Sequence, residues 1–279
     1  MIMRNARQNA ILAYLNEHGE AKNAELLTLT EGVSAMTLWR DLEKLEADGL
    51  IIRFRGGAAA AGGRNGSGQE INFLRRVRQN TDAKESIAEI AASIMQPDQA
   101  YFMDAGSTVY TLVHHLHSGN YNFITSAVNI AAELAKHTNY DVTMLGGQLG
   151  SNTLSCSGPQ TEEMLRGINI DIAIMAASGW AQSTGFTSGR YAEAQVKKLV
   201  VEKSAVSVML LDSEKLAKRH PFTFATLSDI DALIGDEHLP AEFRNECEGR
   251  GILVFTPDDG RASAERDSLF RQLIGRKHA

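Results

Sequence analysis

The chain has 279 residues, 43% hydrophobic and 22% charged, with 28 Lys and Arg against 34 Asp and Glu and a formal net charge of −6, the make-up of a globular protein of about two domains with a sizeable core. Its two cysteines, Cys156 and Cys247, form neither a disulfide framework nor a CxxC metal pattern, which favours a reducing compartment. No apolar run approaches the roughly 20 residues that cross a bilayer, and MIMRNARQNAIL lacks the marks of a signal peptide, so the expectation is a cytoplasmic protein with no membrane partner.

Three helical patterns come first. Ala10, Ile11, Tyr14 and Leu15 share one face within residues 4–17, and His18-Gly19 ends that helix. Residues 23–29 form a short second helix with Leu26 and Leu27 inward. The third starts at Ser34, a good N-cap acceptor, and carries Leu38, Leu42 and Leu45 at i, i+4 and i+7 as far as about Ala47. Asp48-Gly49 closes it. The weakly alternating LIIRFR of residues 50–55 then meets Gly56-Gly57 and reads as a short hairpin. Three helices and a hairpin in this order make a winged helix-turn-helix over residues 1–57.

Next comes GGAAAAGGRNGSG, six glycines in thirteen residues, a composition with little to bury and the expected start of a linker over residues 58–78. Residues 53–78 hold six arginines (Arg53, Arg55, Arg64, Arg75, Arg76 and Arg78) against Glu70 alone. That run is either a solvated linker or a basic contact surface, since exposed charges act over only about 10 Å at ordinary salt and an acidic total does not forbid it.

Beyond the linker, short apolar runs alternate with helical stretches. Strands are expected at 99–104, 122–125, 141–145, 171–176, 207–211, 231–234 and 251–255, and helices at 82–95, 107–117, 127–136, 159–165, 191–203 and 240–248. This alternation predicts an α/β domain over residues 79–255 with a mostly parallel sheet. Residues 256–279 read as a tail, with either a last helix at 268–274 or a frayed end.

Two regions carry candidate chemistry. If the leucines of SAMTLWRDLEKLE (34–46) face the core, Ser34, Met36, Thr37 and Arg40 are placed to meet base edges, as the first residues of a recognition helix do. Trp39 packs either against sugar-phosphate or in a core or interface, and the same periodicity also fits an ordinary packing helix. In FMDAGST (102–108), Gly106 permits close backbone approach, while Ser107 and Thr108 add hydroxyls at a helix start, a generic anion site that is equally an ordinary N-cap. Thr125-Ser126, Gly146-Gly147, Ala177-Ser178-Gly179 and 212–215, with Lys215 as counter-charge, lie at other expected strand ends, where open α/β sheets bind ligands. The HHLH of residues 114–117 lacks a third ligand and an HExxH pattern, so no metal is expected. No motif asks for a cofactor.

The stretch VSAMTLWRDL (33–42), with Leu45, Gly49-Leu50-Ile51 and RFRGGA (53–58), resembles the N-terminal signature of DeoR-type bacterial transcription regulators. The resemblance runs over roughly residues 4–255. It departs at Trp39, where the family carries arginine, and at Arg55, where it carries histidine. The resemblance makes Ser34, Met36, Thr37, Trp39, Arg40, Arg53 and Arg55 the DNA-binding candidates. In the second domain it continues through Asp104, Gly106, Ser107, Thr108, Thr125, Ser126, Gly146, Gly147 and Lys215, the effector-binding candidates, and through Asp212 and Ser213; Ser126 and Glu214 depart from the usual residues. It also touches Glu193 and Lys197, otherwise a surface i, i+4 pair, and Lys84, otherwise a solvated lysine.

What the resemblance implies is a repressor of a carbohydrate-catabolism operon. It binds double-stranded operator DNA as a dimer or tetramer and is relieved by a phosphorylated sugar or similar anion in an effector-sensing, oligomerising domain. That domain's expected fold is similar to ribose-5-phosphate isomerases, so the alternative is a sugar-phosphate isomerase. Those enzymes carry an acidic segment where this chain has Ala176-Ala177-Ser178-Gly179, which leaves Asp104, Asp212 and Lys215 as possible proton-transfer groups.

Overall fold

The computed structural model describes residues 6–18, 20–30, 33–48, 50–54, 56–60 and 73–277, which belong to two units, Met1–Gln69 and Glu70–Ala279. In the first, α1 (Ala6–His18), α2 (Asn23–Leu29) and α3 (Ala35–Ala47) enclose a small core of Ile11, Leu15, Leu26, Leu38, Leu42 and Leu45. Ser34 caps α3 as its chemistry predicts, its Oγ accepting from the Thr37 amide at 3.2 Å. Asp41 is buried and accepts hydrogen bonds from the Arg7 guanidinium and from Gln8 Nε2, which pins α1 to α3.

The hairpin is larger than expected. Strand β1 (Glu20–Lys22) pairs with β3 (Gly57–Ala60), which also pairs with β2 (Ile51–Phe54), giving an antiparallel sheet in the order β1-β3-β2. Three residues, Glu-Ala-Lys, are too few to announce a strand by alternation. The glycines at the hairpin tip act differently. Gly56 turns at φ +95° in open space, whereas a Cβ on Gly57 would come within 2.3 Å of the Ala21 carbonyl oxygen. Ala58 is fully buried, so residues 57–60 are wing rather than linker. Residues 61–72 and Arg55 lie outside the described residues. The rest of the expected linker is helix, α4 (Phe73–Arg78), its Phe73 buried edge-on against Tyr110 with ring centroids 5.4 Å apart.

The second unit continues with α5 (Thr81–Ile94), β4 (Ala100–Met103), α6 (Ser107–Val113), β5 (Tyr121–Thr125), α7 (Val128–Leu134) and β6 (Tyr140–Met144). A ribbon, β7 (Gln148–Gly150) and β8 (Ser155–Ser157), leads to α8 (Pro159–Arg166) and β9 (Ile170–Ala176). Then follow β10 (Gly179–Ala181), β11 (Gly185–Ser188), α9 (Tyr191–Lys203), β12 (Ser204–Leu211), β13 (Phe222–Ala225), β14 (Ala232–Gly235), α10 (Ala241–Gly249), β15 (Leu253–Phe255) and α11 (Ser263–Lys277).

The seven main strands form an all-parallel sheet in the order β15-β14-β12-β9-β4-β5-β6. Alternate residues feed two cores: Tyr101 and Met103 face α5, α6, α7 and α11, while Phe102 faces the side covered by α8, α9 and α10. From β4 the chain winds outward through β5 and β6; from β9 it winds the other way. The order therefore reverses between β4 and β9, and such a reversal opens a crevice at the carboxyl ends of the strands.

Three expectations change here. The helix expected over 107–117 ends at Val113, because the amides of His114 and His115 bond back three residues, to Thr111 and Leu112. The antiparallel set β10-β11-β13 was not foreseen, since its strands are three or four residues long. The tail holds α11, whose Phe270 is fully buried in the α5 core. We expect Phe270→Ala to lower unfolding stability by about 3–5 kcal/mol. Urea denaturation measures this, and a loss under about 1 kcal/mol means that α11 does not hold the core.

Candidate functional site

A pocket opens at the β4/β9 crevice. Its floor comes from the loop after β4 (Asp104 to Gly106) and the start of α6 (Ser107, Thr108), and from the end of β9 (Ala176 to Ser178). Ser126 after β5 and Thr153, Ser155 and Cys156 of the ribbon form one wall. Glu193, Val196 and Lys197 of α9, Lys215 of the 3₁₀ turn after β12, and Arg76 of α4 complete it.

Two of the charges form a closed knot. Asp104 is buried; its carboxylate accepts from Lys197 Nζ and from the Ala176 amide at 3.0 Å, and Lys197 also donates to the Ala176 carbonyl at 2.9 Å. Glu193 accepts from Thr153 Oγ1 at 2.7 Å, and Thr153 accepts from Ser155 Oγ at 3.0 Å. The hydroxyls of Ser107, Thr108 and Ser126 make no hydrogen bond within the described residues, although these residues are buried and line the pocket. They line the same pocket as Arg76 and Lys215. Amides in the first turn of a helix have no intrahelical acceptor, so α6 adds donors there. This set suits an anion carrying several oxygens.

Burial pushes the Lys215 ammonium below its ordinary range against the opposing charge of Asp212, and Lys218 and Arg76 add to the depression. Lys84 is buried at 2% exposure and is not solvated as expected. Its Nζ donates to the Arg76 carbonyl at 2.6 Å and to the Gln79 carbonyl, closing the end of α4. Burial lowers its pKa to about 8; Asp212 opposes this, and Lys215 and Arg76 reinforce it. Lys84 shares a stripe with Ile87, Ala88 and Ala91, all fully buried, a spacing that would have marked it as inward.

The structure sorts the other sequence candidates. Glu193 and Lys197 are not a surface pair: both are buried and each holds a different partner. They repeat with Val200 at i, i+4 and i+7, the periodicity of a buried face. Thr125 lies beneath the pocket, its hydroxyl donating to the Met103 carbonyl at 2.6 Å and accepting from the Ala127 amide. Gly146 and Gly147 do not line the pocket; the Gly146 carbonyl accepts from Thr161 Oγ1, and a Cβ on Gly147 would sit 2.1 Å from that same atom. Gly106 serves packing, since a Cβ there would meet Ala176 Cβ at 2.4 Å. Arg76, Thr153, Ser155 and Cys156 were missed as site residues; Arg76 stood out in the sequence only as one of a run of arginines. Among the described residues, no group of three or more His, Cys, Asp and Glu is placed to hold a metal ion, and no helix is long and apolar enough to cross a membrane.

In the first unit, Met36, Trp39 and Arg40 are exposed along one side of α3. Ser34 and Thr37 are engaged with each other at the cap, their hydroxyls 3.0 Å apart. Arg53 is braced: its amide and Nε donate to the Glu46 carboxylate at 2.9 and 2.7 Å, and its guanidinium lies 5.2 Å from the Trp39 ring centre. Burial opposes ionisation of Glu46, but the Arg53 hydrogen bonds outweigh it and hold the carboxyl below its usual range.

Two family models match the chain: the DeoR-like helix-turn-helix domain over residues 7–62 and the DeoR C terminal sensor domain over residues 79–237. The chain is 31% identical to the HTH-type transcriptional regulator GlpR of Haloferax volcanii over 250 residues, 89% of this chain and 96% of that one. It is 29% identical to the HTH-type transcriptional repressor GlcR of Bacillus subtilis over 90% and 96% of the two chains. It is 26% identical to the glycerol-3-phosphate regulon repressor of Escherichia coli over 84% and 91%. Among solved structures, ribose 5-phosphate isomerase A of Methanocaldococcus jannaschii aligns with 50% of this chain and 56% of its own, at 16% identity and a TM-score of 0.36.

Lys84 gives a pH test. With its folded pKa near 8, below the ordinary 10.5, the unfolded chain binds more protons between those values, so Lys84 makes stability rise with pH across that window. We expect wild type to gain on the order of 2 kcal/mol relative to Lys84→Met between about pH 7.5 and 10, read from denaturation midpoints. A difference that does not change with pH refutes the burial of this amine.

Proposed function

Because the chain belongs to the DeoR family of transcriptional regulators, we propose that it is a sequence-specific DNA-binding repressor of a carbohydrate-catabolism operon, released by a phosphorylated sugar or a related anion. The observation that carries the effector half is the pocket lining, which joins the cations Arg76 and Lys215 with the hydroxyls of Ser107, Thr108 and Ser126, three groups that make no hydrogen bond among the described residues. A phosphate needs such a set of cations and short donors. Glu193, Ser155 and Ser178 on the remaining wall suit the hydroxyls of a polyol. The sugar-regulon names of the relatives agree with this reading.

For DNA, Arg40 and Met36 are the side chains of α3 best placed to meet base edges or phosphates, with Trp39 beside them. Ser34 and Thr37 shape the start of the helix. Arg53 sets the wing against α3 through Glu46 and Trp39 and contributes to contact through that placement. One module of this size reads few bases, so the protein works as a homo-oligomer on paired half-sites. An isomerase would need a free general base near a sugar carbon. Asp104 is held by Lys197, and Glu193 by Thr153, which favours a sensor without turnover.

Thermal melting across phosphorylated and matched unphosphorylated sugars tests the effector half. A phosphorylated compound at about 100 times its Kd adds roughly 2.7 kcal/mol, and the Ser107→Ala/Thr108→Ala double variant loses the shift; no shift across the panel, or one that survives the double variant, refutes the site. For the DNA half, duplexes selected from a random pool bind wild type, and Arg40→Ala weakens binding about tenfold or more while lowering the salt slope by about one if the contact is to phosphate. Unchanged affinity removes Arg40 from the interface.

A further inference from the structure

Two cations of the pocket lining, Arg76 and Lys215, stand on different kinds of element. Lys215 sits on the turn that ends β12, a strand in the interior of the sheet. Arg76 sits on α4, six residues long, the first described element after the wing. A helix that short does not hold its shape in water, so α4 exists because it is docked. Phe73 is buried against Tyr110 of α6, and its amide donates to the Asn152 carbonyl at 2.8 Å. Lys84 holds the far end through the carbonyls of Arg76 and Gln79. The chain then turns through Asn80 in the left-handed region, φ 50°, with its side-chain amide 3.3 Å from Asp212.

We propose that Arg76 is the docking cation of the anion site: α4 carries it into the pocket, the site is complete only while α4 is docked, and a bound anion holds α4 in place. This rests on reading the pocket as an anion site. Arg76, Lys84 and Lys215 repel one another, while Asp212 and Glu214 attract the two lysines. An anion beside Arg76 and Lys215 turns that repulsion into attraction, which is the differential interaction needed to shift a docking equilibrium. The coupling is reciprocal: whatever the anion gains from docked Arg76, docked α4 gains from the anion. α4 rests on α6, the helix that begins with Ser107 and Thr108, and it ends the segment that comes from the wing. Effector occupancy thus acts on the first described helix of the sensor unit.

Amide hydrogen exchange on the full-length protein tests this, with inorganic phosphate, glycerol 3-phosphate and glucose 6-phosphate as probes and peptides covering residues 73–79 and 104–112 as readouts. We expect a binding probe to slow exchange in both. Arg76→Gln should weaken that probe ten- to a hundredfold; at saturation, peptide 104–112 should still be protected while 73–79 exchanges at its unliganded rate. Arg76→Lys should restore part of both effects, a rescue that a packing role would not give. Protection of 104–112 with 73–79 unchanged, or Arg76→Gln binding within twofold of wild type, overturns the inference and leaves the anion site standing. No protection of 104–112 by any probe overturns the anion-site reading and this inference with it.

Discussion

The sensor unit is organised around the ion pair of Lys197 and Asp104. Its members come from α9 and from the end of β4, and both also bond the backbone of Ala176 at the end of β9. Three elements are thereby tied at the one point where the strand order reverses. A buried ion pair recovers its desolvation only when its remaining hydrogen-bonding capacity is used, and here the main chain of Ala176 supplies both an amide and a carbonyl. Lys197 also lies 5.3 Å from the Phe224 ring centre. The knot fixes the pocket floor while withdrawing its own charges from ligand binding. Asp104 thus joins three elements at the centre of the pocket.

That division explains what was legible in the sequence. Long periodic segments announced themselves: the leucines of α3, the alternating strands and helices of the sensor, and the small and hydroxyl residues at strand ends. What stayed hidden broke the link between residue type and location. Lys84, Glu193 and Lys197 read as surface charges because charged side chains are rarely buried, yet each sits on the inward stripe of its helix, beside Ile87 or Val200. The short antiparallel pairs were too brief for alternation to register. Helix α4 was hidden inside an arginine-rich stretch, because a six-residue helix made by docking has no periodicity of its own to display. Gly106 was legible as a required glycine, and the packing reason, the close approach of the Ala176 side chain, was not visible in the sequence.

In the head, the departure at Trp39 has a structural counterpart. Where the related pattern carries arginine, this chain places a half-exposed indole whose face receives Arg53. Arg53 in turn occupies both oxygens of Glu46 on the same helix. The wing and α3 are thus joined by a continuous set of contacts, from Trp39 through Arg53 to Glu46. A cation held in this way gives up freedom to meet a phosphate but makes the wing and the recognition helix one body. Met36 and Arg40 stay exposed on α3 outside the brace, beside the apolar face of Trp39.

Arg76, Lys84 and Lys215 share a neighbourhood, but they are not equivalent. Lys84 loses its proton near pH 8, and a neutral amine still carries hydrogens enough for its two carbonyl acceptors. Its service to α4 is that of a donor, and it survives the loss of charge. Burial depresses the Lys215 ammonium in the same direction. Arg76 differs in kind, presenting a planar guanidinium with a fork of N–H donors. Of the three, Arg76 alone is carried by α4, while Lys84 holds the end of that helix and Lys215 stands on the turn after β12.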